Sequence, residues 1–153
     1  MSENGLDPLA AVLAGTFGGT ERVHPTTWSA GGDVEGRAEG RLEAGGTVLV
    51  QRHSQVRDGV VSFAGLNAFT LDPVTGETLL YAFDHLGFPP DPPARGGWSG
   101  GQLVLLRTTP RGQSRTVYAP TPEGYRWSKV FRSAAELPWA LVVEGSLRRT
   151  AKA

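Results

Sequence analysis

Few residues in this chain could do chemistry, and their types limit what that chemistry is. There are three histidines, His24, His53 and His85, and no cysteine. The absence of cysteine removes disulfides, thiolate nucleophiles and zinc–thiolate sites together. The histidines have neither the i, i+4 spacing of a helix nor the i, i+2 spacing of a strand, so no metal site and no cofactor are expected. His85 directly follows Asp84. Neighbours on a strand point to opposite faces, so the pair works together only if the strand ends at Asp84 and both side chains reach one rim. There His85 could contact a ligand or act as a general base with a carboxylate partner. The plainer reading has Asp84 capping a turn and His85 partly exposed. His53 shares a strand face with Gln51 and Gln55. That polar row reads as a solvated outer face, with a polar cavity lining as the alternative. His24, before Pro25, reads as exposed.

Nucleophile and phosphate motifs are missing. Gly97-Trp-Ser-Gly-Gly101 resembles a nucleophile elbow only superficially, because it lies among strands and not at a strand-to-helix turn. Gly15 to Gly19 lacks the lysine and the following helix of a phosphate loop. No catalytic residue is assigned. The polar groups that share strand rows with apolar residues are Asn67, Tyr81 and Arg107, and with His85 and Trp127 they are the candidate ligand-binding set. An interior Arg107 would need an acidic ligand or a carboxylate such as Glu21 or Glu144. Arg115 and Lys129 are expected to snorkel to solvent. The aromatic residues Phe63, Phe69, Tyr81, Phe83, Trp127 and Phe131 read first as core, but in a barrel core and cavity wall are one surface.

The elements that position these residues are almost all strands. Asp7-Pro8 is a helix start, with Asp7 as cap, and the spacing of Leu6, Leu9 and Leu13 predicts one short helix over 8–14. From Gly15 the period becomes two. Strands are predicted over 15–23, 34–42, 47–57, 60–71, 77–84, 97–99, 102–109, 113–119, 125–132 and 138–148. Turns fall at Gly45-Gly46, Asp58-Gly59, 72–76, Gly100-Gly101, 110–112 and 120–124, and Trp28 lies in the loop over 25–32. In the last strand Trp139, Leu141, Val143 and Leu147 are expected on one face. Glycine makes up 21 of 153 residues and is spread along these strands, which suits bends and bulges in a closed sheet. Short hairpin connections imply antiparallel neighbours, and closure removes sheet edges. The expected fold is an all-β, antiparallel up-and-down barrel of about ten strands with a short N-terminal helix. A two-sheet sandwich is the alternative. The segment 81–98 is its longest interruption, and its proline-rich part is expected to lie over one mouth.

Several stretches resemble a known group. Gly15-Thr16-Phe17 resembles the opening strand of calycin-type barrels, with Phe17 where many have Trp. Together with Gly45 to Gln51, Phe69 to Gly76 and Phe83-Asp-His-Leu-Gly87, it makes the chain similar to a bacterial domain-of-unknown-function family with a lipocalin-like barrel. The resemblance implies the barrel and no activity. A more distant similarity is to nitrobindin, a haem-binding ten-stranded barrel whose iron is held by a histidine near the C-terminal end. This chain has no histidine after His85, so the axial ligand that resemblance implies is missing.

Composition narrows the partners. Fifteen basic and fifteen acidic residues cancel, which leaves no electrostatic footprint for nucleic acid or an anionic membrane. The length suits a single domain over 1–153, with 1–5 and 149–153 loose. The start lacks the pattern of a secretion signal, and a cytoplasmic location is expected. The function read from the sequence is binding of a small apolar or amphipathic molecule inside the barrel. The alternatives are an enzyme using His85 as general base, or an oligomerisation or interaction module, such as a homodimer, contacting through Trp98 and the Pro89–Pro93 loop.

Overall fold

The computed structural model describes residues 5–26 and 30–150. Trp28, residues 1–4 and residues 151–153 lie outside that range. One helix, α1 (Asp7–Leu13), precedes ten strands: β1 (Gly15–Val23), β2 (Gly32–Glu43), β3 (Val48–Arg57), β4 (Val60–Leu71), β5 (Thr78–Asp84), β6 (Ala94–Ser99), β7 (Gln102–Thr109), β8 (Gly112–Pro120), β9 (Gly124–Arg132) and β10 (Ala140–Arg149). They close into one antiparallel barrel in which each strand pairs with its sequence neighbours and β10 returns to β1. The expected barrel is thus the observed one, and no sandwich forms.

Local chemistry explains the elements. In the β3–β4 hairpin, Asp58 and Gly59 both take positive φ, as a two-residue turn of matching twist requires. α1 begins at Pro8's favoured position, but its N-cap is Leu6, and Asp7 lies inside the first turn without capping it. The apolar face of α1 buries Leu6, Leu9, Val12 and Leu13, plugging one end of the barrel. Phe17, Leu49, Phe69, Leu103, Tyr118, Tyr125 and Leu147 pack above it as the core. The C-terminal end is not loose at Arg149 and Thr150. Arg149 pairs with Phe17 in the ladder and donates to the Ala14 carbonyl, and Thr150 N–H donates to the Thr16 carbonyl at 2.8 Å. These bonds tie the end of β10 to the start of β1 and to the Ala14 cap of α1.

Two departures from regular pairing matter. In β10 an extra residue, Val142, bulges between Leu141 and Val143. Leu141 therefore pairs with Val130 and Val143 with Lys129, so the two are not on one face as strict alternation predicts. Trp139 lies outside, stacked under the guanidinium groups of Arg115 and Arg132. The second departure is at β5–β6, where only Thr78, Leu79 and Leu80 are laddered to the next strand. Beyond Leu80 that ladder stops, and the segment over 85–93 connects the two strands. Arg107 holds that loop, donating from Nε to the Pro92 carbonyl at 3.0 Å. Arg111 adds a paired contact to both oxygens of Asp91 at 2.8 and 2.9 Å.

The inward faces of β2 and β10 carry Gly36 and Gly145 because a buried carboxylate occupies the space a Cβ would fill. A Cβ on Gly145 would sit 2.7 Å from Glu21 Cγ and 2.9 Å from Trp127 Nε1, and one on Gly36 would sit 2.5 Å from Glu21 Oε2. Gly145→Ala is expected to destabilise the protein by about 1–3 kcal/mol, the usual scale of overpacking. Gly97→Ala, where a Cβ meets nothing within 4 Å, is the neutral control. Urea denaturation of the two variants checks this.

Candidate functional site

Inward-facing residues form three tiers. The lowest is the apolar core over α1. The middle tier is polar and centres on Glu21 of β1, whose side chain is fully buried. Trp127 Nε1 donates to Glu21 Oε2 at 2.9 Å, Gln55 Nε2 donates to Oε1 at 2.7 Å, and His53 Nε2 sits 2.9 Å from both oxygens. Three donors on β3 and β9 thus converge on one carboxylate from across the barrel. Burial pushes the Glu21 carboxyl up, but the His53 hydrogen bond and charge, with those of Gln55 and Trp127, outweigh it and hold the group below its ordinary 4.5. Beside this cluster, Asn67 donates to Gln51 Oε1 at 2.8 Å, and Gln51 donates to the Tyr125 hydroxyl at 3.3 Å. The His53 ring meets Trp127 edge-on at 5.2 Å and Phe63 at 5.6 Å.

Above this floor lies a cavity of about 280 Å³. Asn67, His53, Gln55, Tyr118 and Trp127 form its base; Val23, Phe63, Leu80, Ala82, Thr116, Val142 and Val143 line its sides. Asp84, Arg107 and Lys129 supply the charged groups on its wall. A larger trough of about 840 Å³ on the outside of β1–β5 is open surface.

Arg107 finds neither of the carboxylates suggested for it. Glu21 is taken by His53, and Glu144 is exposed on the outer face of β10. Its partners are instead backbone carbonyls, Pro92 at 3.0 Å and Leu80 at 3.5 Å. Lys129 makes no hydrogen bond or contact ion pair among the described residues, and it faces the cavity instead of snorkelling to the outer surface. Burial, then the charge of Arg107, lowers its pKa, with Asp91 and Asp84 acting in the opposite direction.

Of the five residues proposed from sequence, Asn67, Arg107 and Trp127 come together around the cavity. Tyr81 and His85 do not. Tyr81 pairs with Ala68 on the outer face of β5, because Leu80 and Ala82 take the inward positions. His85 is exposed, and its Nδ1 accepts the Ala64 N–H at 3.2 Å with no carboxylate beside it. Asp84 Oδ1 accepts from the Leu86 N–H at 2.9 Å, the turn-capping role. Among the described residues no carboxylate is bonded to His85 to orient it as a general base. The row of Gln51, His53 and Gln55 is the inner face of β3, not a solvated one. The signal that marks it is Glu21, an acid on the apolar side of β1, flanked across the sheet by glycines that leave it room. Trp98 lies near the opposite end of β6 from the proline loop. Facing inward on β10 are Val143, Gly145 and Leu147, none of which can ligate iron.

Because the folded Glu21 carboxyl has a lowered pKa, its contribution to stability is present above pH 4.5 and is lost as pH falls through the lower folded value. Glu21→Gln is expected to flatten stability over that acid range relative to wild type, as followed by chemical denaturation at several pH values. Lys129→Met removes an unpaired cation from beside Arg107 and is expected to raise stability by about 1 kcal/mol at neutral pH, a readily attained gain at functional sites; a fall in melting temperature would contradict that reading.

No helix among the described residues is long and apolar enough to cross a membrane. No protein-family model matches the chain, and no curated protein does. The chain is similar in structure to the crystal structure of Rv2717c from M. tuberculosis, at TM-score 0.70 over 99% of this chain and 100% of that one. With 14% identity, the likeness is one of fold, the closed barrel.

Proposed function

We propose that the protein binds a small amphipathic molecule bearing an acidic group inside its barrel. The observation that carries this is the cavity's charge. Arg107 and Lys129 face about 280 Å³ of space against one acid, Asp84, and among the described residues no carboxylate is in contact with either cation. The nearest acids are otherwise engaged: Glu21 with His53, Asp91 with Arg111, and Asp84 with its own turn. A cation half withdrawn from water and without a carboxylate against it gains from an acidic group brought to it. A ligand carboxylate would be that group, while its apolar part lies against Phe63, Ala82 and Val143. The volume, at the low end for ligand pockets, suits a substituted aromatic or short-chain acid. Asn67 and Trp127 belong to the base of the site, and Tyr81 and His85 to its outside. The end of the short β5–β6 ladder, beside the loop that Arg107 holds, is the natural portal.

Isothermal titration with 4-methylbenzoate and with its neutral analogue 4-methylbenzamide tests the proposal. The acid is expected to bind at least about tenfold more tightly than the amide, and Arg107→Met to remove that preference, a change of about 1.4 kcal/mol. Equal affinity for acid and amide, or no binding of either, would sink the proposal.

A further inference from the structure

Only two of the fifteen cationic residues in the chain are lysines, Lys129 and Lys152; the rest are arginines. One of these two lysines is on the cavity wall, where a fixed positive charge is already supplied by Arg107. An arginine would serve anion binding as well or better, because its fork matches a carboxylate. What lysine offers in addition is a nucleophilic amine.

We infer that Lys129 captures a carbonyl compound as an imine, so that the cavity takes aldehydes or ketones that also carry an acidic group. The inference rests on the reading of the cavity as a ligand site and names the ligand's second functional group. Lys129 stands between Thr116 of β8 and Val143 of β10 in the ladder, one inward position above Trp127. Among the described residues its Nζ has no hydrogen bond or contact ion pair. The charged groups facing the same space are Arg107 of β7 and Asp84 of β5, with the Glu21–His53 pair in the tier below. Desolvation and a neighbouring cation are the two conditions that favour the free, nucleophilic amine of a lysine; here burial and Arg107 lower the Lys129 pKa, with Asp91 and Asp84 acting in the opposite direction. The neutral Nζ adds to the carbonyl carbon, forming the C–N bond as the carbonyl oxygen takes up a proton. The resulting carbinolamine loses its hydroxyl group and the remaining Nζ hydrogen as one water. The product is a C=N bond, with no oxidant or reductant consumed. Arg107 would hold the ligand's acidic group during these steps, and Thr116 lies directly across the ladder with a hydroxyl that can hydrogen-bond the carbinolamine.

The test uses 4-carboxybenzaldehyde with sodium cyanoborohydride at pH 7, which reduces any imine to a stable secondary amine. Intact-mass measurement and peptide mapping then locate the adduct. The expected result is one adduct, on Lys129, formed at least about ten times faster than on Lys152 or the chain's α-amine, the rate advantage expected of an activated amine. Lys129→Arg is expected to abolish the fast labelling while its circular dichroism matches wild type. Similar labelling rates at all amines would overturn the inference. Binding of 4-methylbenzoate serves as the separate control. If that acid binds and Lys129 is not preferentially labelled, the imine inference fails and the ligand site stands. If the acid does not bind and Lys129 is not labelled, both fail.

Discussion

A carboxylate sealed inside an otherwise ordinary β-barrel governs the rest of the structure. Glu21 has no exposed surface. A charge so placed is tolerated only if it is paired and its lone pairs are filled. The chain meets that demand with three side chains from two distant strands: His53 and Gln55 from β3, and Trp127 from β9. Each fixes the register of its strand, since a slip by one residue would move the donor to the outer face and leave the carboxylate unpaired. The glycines at 36 and 145 follow from the same requirement, because they vacate the volume the carboxylate occupies. One acidic residue thus links three strands, β1, β3 and β9, none of them neighbours in the barrel.

This cluster also divides the interior. Below it, α1 and a shell of leucines and aromatics fill the barrel solidly. Above it the side chains no longer meet, and a cavity remains whose wall carries Arg107, Lys129 and Asp84. The wall itself is incomplete there. β5 pairs with β6 through three residues only, and the proline-rich loop follows where that ladder stops. Arg107 has two roles in this arrangement. It fastens the loop through the Pro92 carbonyl, and it leaves its charge toward the cavity.

Strand positions, turns and barrel closure were legible because they rest on local signals: alternation, Asp-Gly and Gly-Gly turns, and a helix start at Asp7-Pro8. The site was less so. Asn67, Arg107 and Trp127 were visible as polar or aromatic residues in inward rows. Tyr81 was misjudged because a period of two has no absolute phase; only pairing with β4 shows that Leu80 and Ala82 point inward. His53 was assigned to solvent for the same reason. A polar row reads as an outer face unless its buried partner, 32 residues away on β1, is known. His85 drew attention through its sequence neighbour Asp84, yet Asp84 bonds its own turn and His85 a backbone amide. The bulge at Val142 is invisible to alternation because it is one inserted residue whose reason lies in the partner strand.

The account's central claim is that the upper half of the barrel is a site for an acidic ligand, floored by the Glu21 cluster. The most direct measurement is a crystal structure of the protein soaked with 4-bromobenzoate, using bromine anomalous scattering to locate the molecule. The account predicts a single strong bromine peak inside the barrel near Phe63 and Val143, with the carboxylate toward Arg107 and Lys129. A barrel packed solid above His53 and Trp127, or bromine found only in the open trough outside β1–β5, would contradict it.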